Sequence, residues 1–207
     1  MAEHTIELNR LRVSPAAHLA DAMRAGEITG PRAVSLRELP FVPQLGLRCV
    51  PGSASAAAVE EALGLPLPAR VGEVSGDPDG LHVLWLGPDE FLAVDVSRQQ
   101  EPGEGAQVAA ALDGLPGQCV DLSANRTVLE LRGPSAREVL EKGCPADLHP
   151  RVFPAGSGIV TQLGLVPVLL HRSDERTFRV FPRASFADFT VRWLLDAMVE
   201  FAEPGGS

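Results

Sequence analysis

The side chains able to do chemistry are few and dispersed. The histidines are His4, His18, His82, His149 and His171, and the cysteines are Cys49, Cys119 and Cys144. A transition-metal site needs such donors at short, convergent spacings, and none of these residues has a partner at one. No Gly-x-Ser-x-Gly elbow, Walker loop or dinucleotide-binding glycine pattern is present, so the common nucleophile and phosphate-cradle signatures are missing. His82 and His171 fall in segments with strand pattern, where a hydrogen-bonded structural histidine is the ordinary role. His149, before Pro150, sits in a loop. Cys144 follows a helix end, where the negative pole of the helix dipole disfavours a thiolate. Glu60-Glu61 and Asp174-Glu175 read as solvated surface pairs rather than acid/base couples. Residue by residue, no catalytic, cofactor-binding or metal site is expected, and a binding or structural role is favoured.

The elements that would position any site come from a chain of 207 residues with 18 basic and 27 acidic side chains, a formal charge of -9. That length allows one large domain or two small ones sharing an interface. Net acidity argues against a nucleic-acid or anionic-membrane partner. The charge is concentrated: residues 72–121 hold ten acids and one base, Arg98. No run approaches the roughly 20 apolar residues of a membrane span, and Met1 to Arg12 lacks the apolar stretch of a secretory signal. An odd number of scattered cysteines fits a reducing, cytoplasmic setting.

Residues 1–30 read as an arm, with Ser14-Pro15 opening a short helix. Beyond Ala33, strands are expected at 34–39, 45–50, 71–74, 81–86, 91–96, 118–122, 127–131, 158–163, 166–171 and 177–181. Helices are expected from Ser53 to 63, at 105–112, after Gly133-Pro134, and from Ala184 to about Ala202. Gly64 and Gly143 mark helix ends, and Gly76-Asp77-Pro78-Asp79-Gly80 is strong turn chemistry. Glu138 and Lys142 are spaced to pair on one helix face. Strands clustered between helices indicate an antiparallel α+β arrangement of two packed ferredoxin-like (split βαβ) units, at 31–124 and 125–203, forming one globule.

The last helix is apolar nearly all round. Phe186, Thr190, Trp193, Ala197 and Phe201 form one stripe, with Asp188, Arg192 and Asp196 opposite. Val191, Leu195 and Val199 lie on or beside that charged face, which makes them candidate subunit-interface residues.

Several stretches resemble the gamma subunit of heterotetrameric sarcosine oxidase. The densest is Val120-Asp121-Leu122-Ser123-Ala124-Asn125-Arg126-Thr127, continuing through Glu130-Leu131-Arg132-Gly133-Pro134 to Lys142-Gly143-Cys144-Pro145 and Asp147-Leu148-His149-Pro150. Val34 to Phe41, Leu86 to Leu92, Pro167 to Leu170 and Trp193 to Ala197 support it. The resemblance implies an aminomethyltransferase-like fold and a non-catalytic subunit that stabilises a complex with alpha, beta and delta subunits. That complex oxidises sarcosine to glycine with formation of hydrogen peroxide, and yields formaldehyde or methylene-tetrahydrofolate. FAD, FMN, NAD and zinc are then expected on the partner subunits. No counterpart of the aminomethyltransferase catalytic acid motif is present, so no catalytic residue carries over. The rival reading is a stand-alone folate-binding aminomethyltransferase-like protein. Asn125 and Arg126, at a strand start, either close a turn or present Arg126, charged at any relevant pH, to a carboxylate on a neighbouring subunit.

Overall fold

The structure, a computed structural model, describes residues 11–202; the first ten residues of the arm, including His4, lie outside the described residues. The arm enters as a 3-10 turn, Ala17–Leu19, and a short helix α1, Ala20–Ala25. Next come β1 (Ser35–Leu39), β2 (Gln44–Arg48), α2 (Ala54–Leu63), β3 (Gly72–Gly76), β4 (Leu81–Gly87) and β5 (Glu90–Asp95). They are followed by α3 (Ala106–Ala111), β6 (Gln118–Asp121), β7 (Val128–Arg132) and α4 (Ala136–Glu141). The chain closes with β8 (Ser157–Leu163), β9 (Val166–Asp174), β10 (Thr177–Pro182) and α5 (Ala187–Met198), α5 being flanked by 3-10 turns.

Local chemistry explains most boundaries. Ser53 caps α2 by accepting from the Ala56 amide at 3.2 Å, which satisfies one of the free amides of the first turn. Gly64 ends the same helix in the left-handed region, φ 69°, where a Cβ would be strained. Gly133, φ 138°, lets the end of β7 pass against residues 33 and 34, where a Cβ would overlap the Ala33 carbonyl.

The ten strands pair in the order β1-β7-β10-β9-β8-β3-β4-β5-β2-β6, and every pairing is antiparallel. Each half follows the ferredoxin-like strand order. In the first, β6-β2-β5-β4 surrounds α2 and α3, with β3 added outside β4. In the second, β7-β10-β9 carries α4 and α5, but no strand follows α5 among the described residues. Its outer place beside β7 is taken by β1, from the N-terminal side of the chain. A short β3–β8 pairing, Gly72↔Gly158 and Glu73↔Ser157, joins the halves.

Alternation along the strands sorts side chains into layers. Leu36, Leu129, Leu131, Phe178, Val180 and Leu170 face the arm, α4 and α5. Leu45, Leu47, Val83, Phe91 and Ala93 face α2 and α3. The opposite faces of both half-sheets meet each other through Leu84, Leu92, Val94, Val128, Leu169 and Phe181. The molecule is therefore layered helix, sheet, sheet, helix, and the inter-sheet layer is the innermost part.

The arm docks on its own chain. Ala16, Leu19 and Met23 join the core beneath α5. Ser14 does not cap the helix; its hydroxyl donates to Glu38 at 2.5 Å. Glu38 also accepts from the Ala16 amide at 3.1 Å and the Thr127 hydroxyl at 2.5 Å. One carboxylate thus clamps arm, β1 and β7, a tertiary use that outcompetes the local cap. Lys142 does not pair with Glu138: it bridges Glu200 at 2.9 Å and donates to the Ala197 carbonyl, while Arg137 pairs with Glu141 at 2.6 Å. The long stem of Lys142 reaches the end of α5, where both a carboxylate and a last-turn helix carbonyl attract it. Replacing Glu38 by Ala leaves these donors without their acceptor, at about 1–3 kcal/mol. We expect a matching fall in unfolding free energy by denaturant titration, with faster amide exchange across residues 14–25.

Candidate functional site

The inter-sheet layer carries a polar row produced by strand register. Arg37 on β1 lies opposite Glu130 on β7, Glu130 opposite Arg179 on β10, and Arg179 opposite His171 on β9. Glu130 is buried and its carboxylate is shared. Oε1 accepts from Arg37 Nε and Nη2 at 2.8 and 2.6 Å, and Oε2 from Arg179 Nε at 3.2 Å. Arg179, equally buried, also donates to Asp79 at 3.1 Å and to the Pro78 carbonyl, both in the β3–β4 turn. A buried carboxylate between two guanidinium groups has its charge offset and its lone pairs filled. It has no free capacity to act as a base.

Beside this row the rings of His82 (β4) and His171 stack at 4.9 Å, tilted by 38°, and both residues are wholly buried. His82 Nδ1 donates to the Gly80 carbonyl at 3.0 Å, which leaves Nε2 as an acceptor in the neutral ring. Nε2 has no partner, and neither ring nitrogen of His171 has one. Both histidines lie in strands, as their sequence pattern suggests, but of the hydrogen bonds expected for such rings only that of His82 Nδ1 forms. Burial holds His82 below the usual imidazole range. Burial, the facing His82 and the Arg179 charge push His171 down to about 2. Both rings are neutral at ordinary pH, because a proton here would be desolvated and would face a guanidinium.

At the other end of the layer, Asn125 is exposed and its amide donates to the Leu122 carbonyl at 2.8 Å, closing the turn before β7. Arg126 forms an isolated bridge with Arg183, and its carbonyl accepts from Gln44 Nε2 at 2.9 Å. Sequence reasoning missed Gln44, Glu130 and Arg179. The available signal was a polar residue at an inward position of an otherwise apolar strand. The other sequence candidates lie apart from this layer. On α5, Val191 is fully buried in the chain's own core, and Leu195 packs against α1 at Gly26. The arm covers that flank of the helix, so these two side chains are engaged within the chain. Val199 is 66% exposed, with Phe186 at 41% and Phe189 at 48%; Phe186 therefore turns outward from the stripe read in the sequence. Cys144 is buried, with Sγ 3.8 Å from the Thr161 hydroxyl. A Cβ on Gly143 would overlap the Trp193 ring, so Lys142-Gly143-Cys144 serves to seat α5. Among the described residues no cluster of three or more His, Cys, Asp or Glu side chains could hold a metal, and no helix is long and apolar enough to cross a membrane.

Aminomethyltransferase T of the glycine cleavage system from Bartonella henselae superposes with a TM-score of 0.63 at 17% identity, covering 93% of this chain and 59% of that one. The architecture is thus the aminomethyltransferase-like α+β fold. Residues 50–200 match the "Sarcosine oxidase, gamma subunit family". The sarcosine oxidase subunit gamma of Corynebacterium sp. strain U-96 is 55% identical over 203 residues, 98% of each chain. Its counterpart from Arthrobacter sp. is 55% identical over 205 residues, 99% of this chain and 98% of that one. A chain of the heterotetrameric sarcosine oxidase from Corynebacterium sp. U-96, solved in complex with pyrrole 2-carboxylate, superposes with a TM-score of 0.90, covering 95% of this chain and 100% of that one. The chain belongs to the sarcosine oxidase gamma subunit family, a family of subunits of an oxidoreductase.

The histidine pair sets a direction for acid sensitivity. Both folded pKa values lie below the unfolded value of 6.5, so the unfolded chain binds more protons below that pH. Their contribution is fully present above pH 6.5 and is lost as pH falls toward the folded values. For His171 the slope approaches about 1.4 kcal/mol per pH unit. Denaturant titrations from pH 7 to pH 4.5 should show stability falling with pH, and His171→Phe should flatten that slope by about this amount.

Proposed function

We propose that the chain is the non-catalytic gamma subunit of a heterotetrameric sarcosine oxidase, completing and stabilising an assembly with alpha, beta and delta subunits. The observation that carries this reading is 55% identity over 98% of both chains to a sarcosine oxidase subunit gamma, with a matching superposition on a chain of a heterotetrameric enzyme. In that assembly sarcosine is oxidised to glycine with release of hydrogen peroxide. The one-carbon unit leaves as formaldehyde or as methylene-tetrahydrofolate. FAD, FMN, NAD and zinc belong to the partner subunits. The state of this chain's own titratable groups supports a structural role. Glu130 is held between two guanidinium groups, Lys142 is committed to Glu200 and the end of α5, and the histidine pair is sealed from solvent.

The surface offered to partners includes Asn125, Arg126 and Val199, the last at the C-terminal end of α5, with Phe186 and Phe189 exposed at its N-terminal end. Val191 and Leu195 would support that face from beneath. Purification of the native protein, with subunits counted by native mass spectrometry and cofactors by absorbance, tests the reading. The expected outcome is co-purification in a four-subunit flavoenzyme, while the separated, folded chain carries no flavin absorbance and no oxidase activity. Flavin retained by the isolated chain, or a monomer that binds reduced folate saturably, would replace this reading with that of a stand-alone aminomethyltransferase-like protein.

A further inference from the structure

A cavity of about 230 Å³ opens between the start of the arm, the β1–β2 turn and the turn before β7. Among the described residues its charged lining side chains are Arg12 and Arg126, and no carboxylate lines it. Arg12 is occupied: its guanidinium lies 4.2 Å over the Phe41 ring and donates to the Gln100 carbonyl at 3.0 Å. Two atoms of the lining are not satisfied. Gln44 is 1% exposed, and its Oε1 has no hydrogen-bond partner although Nε2 is used. Arg126 Nε is buried and also without a partner. Neither Arg126 nor Arg183, which bridges it across β7 and β10, makes an ion pair among the described residues.

The setting is the reverse of the other end of the layer. There, Arg37 and Arg179 share Glu130 and Asp79. Here, burial and the Arg183 charge disfavour the Arg126 cation. Glu90 acts on it favourably, but is itself bound to Arg48 at 3.3 Å. In a chain of net charge -9, Arg126 on the cavity, with Arg183 adjacent to it and no counter-charge on either among the described residues, constitutes half of an ion pair. The cavity is smaller than the roughly 300–1,000 Å³ of ordinary small-molecule sites, but it has room for one side chain. Its open valences ask for an acceptor on Arg126 and a donor on Gln44 Oε1. An acidic residue in a peptide supplies both, the first from its carboxylate and the second from a main-chain N–H.

We propose that this cavity receives the side chain of one Asp or Glu from a partner subunit, its carboxylate on Arg126 beside Arg183 and a neighbouring peptide N–H on Gln44 Oε1. The proposal rests on the subunit reading above and deepens it by naming the chemistry of one contact.

The test compares wild-type, Arg126→Met, Arg126→Lys and Gln44→Leu chains, each full length, binding to the remaining subunits by biolayer interferometry. Removing one member of a desolvated charge pair should weaken binding by about 30-fold or more. Arg126→Met should show that loss, Arg126→Lys a smaller one because it keeps charge but not the fork, and Gln44→Leu a further decrease. The isolated Arg126→Met chain should melt at or above the wild-type temperature, since an unpaired, desolvated charge has been removed. Acetate serves as a free-carboxylate probe. It should raise the melting temperature of the isolated wild-type chain but not that of Arg126→Met, and it should have no such effect on the chain within the complex. Wild-type-like binding by Arg126→Met would overturn the proposal, as would an acetate effect that persists in the complex, which would mean a cavity left open to small anions. A wild-type chain that binds none of the subunits would instead overturn the subunit reading itself.

Discussion

The buried carboxylate of Glu130 and the two guanidinium groups that share it govern how the rest of the molecule fits together. Arg37 arrives from β1, Glu130 from β7, Arg179 from β10, and Asp79 with the Pro78 carbonyl from the turn between β3 and β4. Taking such groups out of water is costly unless every lone pair and donor finds a partner. The network is satisfied only when strand register is correct to the residue, because a slip of one position turns every side chain to the other face. It therefore acts as a register lock. It fixes β1 beside a half-sheet made otherwise of C-terminal strands, and it ties that half-sheet to the first half's β3–β4 hairpin.

The same lock explains the placement of charge. The acidic stretch between residues 72 and 121 is not uniformly solvent-facing: the side chains of Glu104 and Asp95 are largely buried, while Asp79, itself exposed, pairs with the buried Arg179. Arg98, its lone base, gathers Asp95 at 2.8 Å and Glu104 beside it. Part of the acidic excess thus offsets basic groups of the other half. Exposed acids such as Asp77 and Glu101 remain as solvating surface.

Within one layer the chain therefore holds two polar regions with opposite states of completion. Along β7 the inward positions are Val128 and Glu130 and along β10 they are Arg179 and Phe181, by strand alternation; Arg126 and Arg183 continue the two rows just beyond the strands, as an isolated bridge. The apolar middle, Val128 and Phe181, is buried in the inter-sheet core. The Glu130 end is closed and mutually neutralised. The Arg126 end is open, with a buried donor and a buried acceptor unmatched. That asymmetry suits a subunit that is internally rigid at one end of the layer and takes up a partner at the other.

Much of this was readable before any coordinates. The alternating segments, Ser53 as a cap, Gly64 as a stop and the 76–80 turn are local signals, each set by backbone sterics or by hydrogen bonds within a few residues, and the structure places them as expected. The 120–150 block carried the family likeness. What only the tertiary structure decided involved partners distant in sequence. Ser14 left its cap for Glu38, 24 residues on. Lys142 left Glu138 for Glu200, and Val191, read as a candidate interface residue, packs in the chain's own core. β1 took the vacant outer place in the second unit, Arg37, Glu130, Arg179 and His171 fell into one row, and Gln44 came to face Arg126. Local sequence determines which residues can form a strand and which side chains share a face. Which strand lies alongside, and in what register, depends on burial energies summed over the whole sheet, and the polar site exists only as a consequence of that pairing.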